Sequence, residues 1–212
     1  MKNIPVFTTP NGVASLILKE IPYYGAAYIT IQSTLEPELL LDECVQFCKM
    51  AGADRIYGSN HPCLEKYPFH TAIWRMKQLK ENLEAADAMV FPVTENTLDT
   101  WVELYNRRMA SVPNASYMDR TDSRKLLLDA QGYFVHKDGK LLGIGKVAAD
   151  EIEAVVSAVP GMGETVVRAL ASLVVSDTVE LTVASENTKA VRLYERMGFV
   201  RTDEVSRWYK VL

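Results

Sequence analysis

Two polar residues near the C-terminus, an asparagine and a tyrosine, are of types that can offer a hydrogen bond or a proton to a ligand. Asn187 begins the segment NTKAVRLYERM, and Tyr194 follows seven residues later, shortly before Gly198. Asn often caps a helix by accepting from a free backbone amide, and Gly is common just after a helix ends. The apolar residues between them recur at helical spacing, so this segment predicts a packed helix. Packing alone leaves the Tyr194 hydroxyl without a role, whereas a phenol beside a leaving group can donate a proton to it.

A glycine-rich turn about 20 residues upstream predicts an anion site. In the segment VPGMGETVV, Gly161 and Gly163 stand between a strand-like and a helix-like pattern. Backbone amides at the N-terminus of a helix can bind an anion. A tight turn without a ligand is the alternative for a single G-x-G pattern. The anion site gains support because the Asn187–Tyr194 segment also follows directly after a strand-like pattern.

The elements that must position these residues alternate between strand and helix patterns. VELTVAS (179–185) and DEIEAVVSAV (150–159) have the composition of strands, and YFVHKDGKLLGIGKV (133–147) predicts a hairpin that turns at Asp138-Gly139. The order of the elements predicts an α/β or α+β protein with a mixed sheet.

The first part of the chain follows a similar order more loosely. Strand patterns cover residues 12–20, 25–33, 54–59 and 70–77, and an amphipathic helix is predicted over residues 36–53. The polar run at residues 78–88 predicts the join between two parts. We therefore expect two units, residues 1–80 and residues 88–212, the first being a degenerate partial copy of the second.

The two motifs resemble a known family. ENTKAVRLYERMGF resembles the last motif of the GNAT superfamily of N-acetyltransferases, in which Asn, Ala, Leu-Tyr and Gly-Phe follow one another, and AVPGMGETVVRAL is similar to that family's loop for the pyrophosphate of acyl-CoA. Residues 88–212 resemble one complete GNAT domain, and residues 1–80 resemble a partial GNAT-like unit without the glycine loop. The resemblance implies the GNAT fold, acetyl-CoA as cosubstrate and no metal. It also implies an N-acetyltransferase that uses direct attack by a primary amine of a small molecule or protein.

The resemblance implies a role for each matching residue. Tyr194 would be the general acid that protonates the departing thiolate. Asn187 would contact the cofactor near its thioester or pantetheine. The backbone at Val156 and Ser157 would pair with the pantetheine arm. The pyrophosphate would lie on the backbone amides of the loop and first helical turn, which are those of Gly161, Met162, Gly163, Glu164 and Thr165.

The glycine loop also departs from the family pattern. Ala158 stands where the family usually has Gln or Arg, and Pro160 and Met162 replace its usual basic residue. A carboxylate at Glu164 suits the helix dipole but repels a pyrophosphate, and Arg168 lies one turn further on. Ala158 and Glu164 motivate an alternative function, in which a non-catalytic GNAT-fold protein binds acyl-CoA or a partner, whereas Tyr194 and Asn187 argue against it. A homodimeric scaffold without a ligand is a third hypothesis.

A general base is needed because most amines are protonated at neutral pH. Glu151 and Glu153 alternate with Ile152 on the strand before the glycine loop, and we expect both carboxylates on one face. A solvated strand face is the alternative explanation for both residues. We select Glu153 as the candidate base.

The three cysteines are candidates for a metal site or for the core. Cys44 and Cys48 are four residues apart in a predicted helix, and His61 lies close to Cys63 in sequence. Zinc sites usually contain C-x-x-C pairs, which this chain lacks. We therefore predict buried structural cysteines.

The bulk composition is that of a globular protein. The 212 residues are 48% hydrophobic and 24% charged, with a net charge of −4. This acidic chain lacks the basic cluster typical of nucleic-acid-binding proteins. Because no apolar run reaches the length of a membrane span and the N-terminus has no signal core, we expect a soluble cytoplasmic protein. The sequence leaves the acceptor amine open, and it leaves open whether the first unit supports a homodimer.

Overall fold

The structure is a computed structural model that describes residues 5–212. Its strands are β1 (Val6–Thr9), β2 (Gly12–Ile17), β3 (Ala26–Thr34), β4 (Arg55–Ser59), β5 (Phe69–Leu79), β6 (Met89–Pro92), β7 (Gly132–Lys137), β8 (Lys140–Ala148), β9 (Glu151–Ser157), β10 (Thr178–Ala184) and β11 (Val200–Lys210). Its helices are α1 (Ile21–Tyr24), α2 (Pro37–Met50), α3 (Leu98–Met109), α4 (Arg120–Leu128), α5 (Gly163–Ala171) and α6 (Thr188–Arg196). No helix within residues 5–212 has the length and apolar character needed to cross a membrane.

The chain forms two compact units whose bounds differ from those predicted. Unit 1 contains the chain up to Ala72 together with Val205–Leu212, and unit 2 contains Ile73–Glu204. The predicted boundaries at residues 80 and 88 fail to mark this division because β5 continues through Leu79, which pairs with Thr178 of β10. The C-terminal residues leave the predicted second unit because Trp208–Lys210 pair with β4. Interpretation of the first part as a degenerate GNAT copy stays a prediction.

Unit 1 has the strand order β1-β2-β3-β4-β11. β2 and β3 are antiparallel, whereas β3 and β4 are parallel, with α2 as the connection between them. α2 begins at Pro37 and places its apolar residues at helical spacing. One side of the helix is buried in the core of this unit, through Leu40, Leu41, Cys44 and Cys48.

Burial of the cysteines follows from this helix packing. Cys44 and Cys48 are buried and Cys63 is half-buried, and all three are free thiols. Burial raises the pKa of Cys44 to about 12 and that of Cys48 to about 11, so both thiols stay protonated at neutral pH. The prediction of buried structural cysteines is confirmed for Cys44 and Cys48. Within residues 5–212, no group of three or more His, Cys, Asp or Glu side chains is arranged to hold a metal ion.

Unit 2 is built on a mixed sheet, as predicted. Its strand order is β11-β5-β10-β9-β8-β7-β6, in which β9 and β10 are parallel while β6 to β9 and the β5–β10 pair are antiparallel. One core cluster combines residues of α5 and α6 with sheet residues that include Val147 and Ile152. A second cluster combines residues of α3 and α4 with Ile144 and Val156. The sheet therefore has helices on both faces.

β9 is irregular on both of its sides, toward β10 and toward β8. β9 pairs with β10 only at Glu151 and Ile152. Within residues 5–212, the rest of β9 therefore has no partner strand on that side, and its outward backbone N–H and C=O groups are available to a ligand. On the other side, Lys146 of β8 faces Ala154 and Val147 faces Ile152, so Glu153 is the extra residue of a β-bulge. Bulges bend a strand and redirect its side chains, and they are common next to active sites.

Candidate functional site

A cleft lies where β9 and β10 no longer pair, and it has a volume of about 250 Å³. This central cleft is lined by Ile152–Ser157 of β9 and Thr182–Ala184 of β10, by the N-cap and residues of α6, by the C-terminal end of α3, and by Val112, three residues beyond that helix. It brings together five of the residues predicted from the sequence, which are Glu153, Val156, Ser157, Asn187 and Tyr194.

Tyr194 is held in the cleft by the packing of α6. The helix turns Val191 and Tyr194 into the core, and the Tyr194 ring lies 5.9 Å from the Phe199 ring, measured between centroids. Only 7% of the residue is exposed. Burial raises the pKa of Tyr194 to about 12. The phenol is therefore neutral at physiological pH and keeps the proton that a general acid must donate.

Asn187 caps α6, as the sequence predicted. Its side-chain Oδ1 accepts from the Ala190 amide at 3.4 Å, and Gly198 follows the helix with φ of +85°. Asn187 also lines the central cleft. Its role as helix cap therefore fixes a polar side chain at the wall of this cleft. Helix start, helix end and the position of Tyr194 are thus set by one short segment.

Glu153 is the carboxylate that reaches the cleft. It lies at the bulge of β9, lines the cavity and pairs with Lys146 on β8. Glu151 does not line the cavity. The pKa of the Glu151 carboxyl is raised chiefly by burial and next by the charge of Glu153. Their side chains therefore differ in access to the cleft.

A second cavity, with a volume of about 460 Å³, lies at the glycine turn. We call it the loop cavity. One side of it is formed by Gly161, Met162, Glu164, Thr165 and Arg168, and the other by residues 84–87 together with Lys137. Four of the predicted pyrophosphate residues therefore share one cavity. The fifth, Gly163, begins α5, where a Cβ atom would lie 3.0 Å from the Leu193 side chain of α6.

The glycine turn leaves the first amides of α5 without a partner in the helix, but the Met162 amide, predicted for the pyrophosphate, donates instead to Val159 O at 3.2 Å. Gly161 has φ of +83° and open space around the position of a Cβ atom. No side chain caps the N-terminus of α5, and its regular bonding begins with the Val166 amide, which donates to Met162 O at 3.0 Å. The N–H groups of Gly163, Glu164 and Thr165 thus have no acceptor within the helix. This geometry suits an anion.

The charges of the loop cavity are already paired. Glu164 accepts from Arg168 at 2.7 Å and lies 3.9 Å from Arg196. Arg168 also pairs with Glu84. The sequence suggested that Glu164 repels a pyrophosphate without compensation from Arg168. The structure corrects this expectation because one helical turn brings the guanidinium directly onto the carboxylate.

Arg108 and Lys137 are cavity residues that sequence analysis missed. Arg108, in the last turn of α3, lines the central cleft and donates from Nη2 to Ala158 O at 3.1 Å. A cation therefore lies beside the position where the GNAT pattern has Gln or Arg. Arg108 and Ala158 are 50 residues apart in sequence. Lys137 belongs to the hairpin whose sequence predicted only a turn at Asp138-Gly139. No local sequence signal marks either residue.

Comparison with known proteins supports the fold. The model of the FR47-like protein family matches residues 158–209, which include the glycine turn, α5 and α6. A search of curated protein sequences gave no match.

Solved structures match nearly the whole chain at low sequence identity. A functionally unknown conserved protein from Staphylococcus epidermidis is 13% identical over 99% of this chain and 94% of its own, with a TM-score of 0.63. A tandem GNAT protein from the clavulanic acid biosynthesis pathway is 12% identical over 94% and 79%, with a TM-score of 0.55. A GNAT-family acetyltransferase from Colwellia psychrerythraea is 17% identical over 97% and 84%, with a TM-score of 0.51. The chain therefore has the GNAT acetyltransferase fold, and its residues 158–209 match the FR47-like protein family.

Proposed function

We propose that this protein is an acetyl-CoA-dependent N-acetyltransferase that acts on a primary amine of a small molecule or a protein. The observation that carries the proposal is the central cleft, where the Tyr194 phenol and the Glu153 carboxylate meet the unpaired edge of β9. Transfer occurs by direct attack of the amine, without a covalent intermediate on the protein. The three cysteines fit this scheme because none of them lines the cleft.

The chain has groups that fit acetyl-CoA. Backbone amides in the first turn of α5 are free for the phosphates, and Gly161 leaves space for their approach. The unpaired edge of β9 near Val156 and Ser157 offers hydrogen bonds to the amide groups of the pantetheine arm. When bound, the cosubstrate supplies an acetyl group activated as a thioester.

Tyr194 is the proposed general acid. A thiolate leaves when an amine takes over the acetyl group, and the Tyr194 hydroxyl donates its proton to that sulfur. The raised pKa keeps this proton on the phenol until it is needed. Glu153 is the proposed general base, because its carboxylate lines the same cleft. It accepts a proton from the substrate ammonium, directly or through water, and the neutral amine that results attacks the thioester carbonyl.

Two measurements on the wild type and the variant Tyr194→Phe test the proposal. The first is thermal unfolding with and without acetyl-CoA, in which a ligand at 100 times its Kd stabilises by about 2.7 kcal/mol and moves the Tm by a few degrees. The second is CoA release with a panel of primary amines. We expect turnover by the wild type and a loss of about 10²-fold or more in kcat for Tyr194→Phe, with acetyl-CoA affinity unchanged.

Tyr133→Phe is the matched control. Its hydroxyl donates to Ala130 O at 2.9 Å and it lines neither cavity, so its removal should leave kcat unchanged. Tight acetyl-CoA binding with no turnover in the wild type or either variant would instead favour a non-catalytic acyl-CoA-binding protein. No response to millimolar acetyl-CoA would reject both functions.

A further inference from the structure

The segment Leu83–Ala88 forms one wall of the loop cavity, and we call it the strap. Its residues Glu84, Ala85, Ala86 and Asp87 line that cavity. Its apolar residues Leu83, Ala86 and Ala88 pack against the core cluster that also contains α5. The strap is therefore held in place by apolar contacts while its two carboxylates project at the cavity.

Both strap carboxylates pair with cations across the cavity. Glu84 accepts from Arg168 Nη1, and Asp87 Oδ2 lies 2.7 Å from Lys137 Nζ. The pairing lowers the pKa of Asp87 and raises that of Lys137, so both groups are ionised at neutral pH. Arg168 and Lys137 are the cations that line the cavity. Both are thus engaged by the protein's own carboxylates, next to the free amides of α5.

A carboxylate and a phosphate oxygen compete for the same cation. Each accepts charge-assisted hydrogen bonds from Arg and Lys, and Arg binds either anion through two N–H groups. The strap carboxylates have 83% and 90% exposed side chains. Water and salt screen exposed ion pairs, which therefore contribute little, so a phosphate with higher charge can displace them. An anionic ligand can therefore replace the strap carboxylates on the two cations without unfolding the unit.

We propose that the strap is an autoinhibitory element in which Glu84 and Asp87 occupy the cations of the loop cavity and must release them before the phosphates of CoA bind. This inference rests on the proposed function. The inference assigns a role to the carboxylates of the cavity. They lower the affinity for CoA but leave the site itself in place. Release of the strap then frees Arg168 and Lys137 to act with the amides of α5.

The test is titration calorimetry of CoA with three proteins at low ionic strength. They are the wild type, the double variant Glu84→Gln/Asp87→Asn, and the matched control Glu81→Gln/Glu95→Gln. The control removes the same two charges from exposed residues that line neither cavity. Loss of two competing exposed pairs predicts CoA binding about tenfold tighter for the strap variant, with little change for the control.

The outcomes separate the strap from the CoA site itself. Tighter binding by the strap variant alone supports the inference. Equal affinities for all three proteins would overturn it while leaving the CoA site intact, and equal gains in both variants would show a general charge effect instead. Weaker binding by the strap variant would mean that the carboxylates hold the cations in a productive position, which also overturns it. Absence of CoA binding in all three proteins would reject the proposed function and the strap together.

Discussion

The central cleft and the loop cavity lie at opposite ends of the same strand-to-helix connection, yet they are built differently. Two polar groups of the cleft are fixed by the fold, since Tyr194 is part of the core and Asn187 caps a helix. The loop cavity is formed by exposed ion pairs around free backbone amides. Two of the departures from the GNAT pattern, Met162 and Glu164, line the loop cavity, whereas the matching residues Asn187 and Tyr194 line the cleft. The difference indicates that packing fixes the polar groups of the cleft, whereas exposed ion pairs set the charge that the loop cavity offers to a ligand.

The largest effect is expected in the cleft, from Glu153→Gln. Removal of the proposed base should lower kcat/KM by about 10²-fold at pH 7, because general-base contributions are of this order. The loss should shrink as the pH approaches the pKa of the acceptor amine, since the free amine then needs no base. The measurement is the pH profile of acetyl transfer from pH 7 to 9.

Glu151→Gln is the control for this prediction. Glu151 lies on the same strand but does not line the cleft, so its loss should have a much smaller effect. A larger loss for Glu151→Gln than for Glu153→Gln would transfer the role of base to Glu151. A loss that does not depend on pH would contradict a proton-transfer role for both.

A smaller effect is expected from Tyr194→Phe on the pH dependence of stability. The pKa of Tyr194 is raised in the folded state, so its contribution to stability is complete below the unfolded pKa of about 10 and falls as the pH rises toward the folded value of about 12. The free energy of unfolding of the wild type should therefore fall by about 1 kcal/mol more than that of Tyr194→Phe between pH 10 and 11. Denaturant titrations at the two pH values measure this difference. Parallel curves for the two proteins would show that the phenol is accessible to water.

The smallest effect is expected from Arg108→Met, at the junction of the two regions. Arg108 holds the end of β9 through Ala158 O, and an exposed hydrogen bond of this kind contributes about 0.5 to 1.5 kcal/mol. Loss of this bond should weaken acetyl-CoA binding by about three- to tenfold and leave kcat nearly unchanged. Arg107→Met is the control, since Arg107 lines neither cavity. Equal effects of both variants would show that only the net charge matters.

Local rules account for the parts of the molecule that were predicted. Asn187, the apolar stripe of α6 and Gly198 lie within twelve residues, so helix start, buried face and helix end could be inferred together. The hairpin turn at Asp138 and Gly139 was predicted for the same reason, and both residues have positive φ. The four-residue spacing of Cys44 and Cys48 placed them on one face of a helix, and the absence of C-x-x-C pairs favoured burial over a metal site.

Tertiary structure decided the features that join distant parts of the chain. The bulge at Glu153 depends on its register with β8, and the end of the β9–β10 ladder depends on how two strands diverge. The pairs Arg108–Ala158, Glu84–Arg168 and Asp87–Lys137 are each 50 or more residues apart. The sequence by itself determined the mixed fold, the cap and position of Tyr194 and the glycine turn, because these follow from short-range spacing. Access of Glu153 to the cleft and the charge state of the loop cavity were set only when packing brought separate segments together.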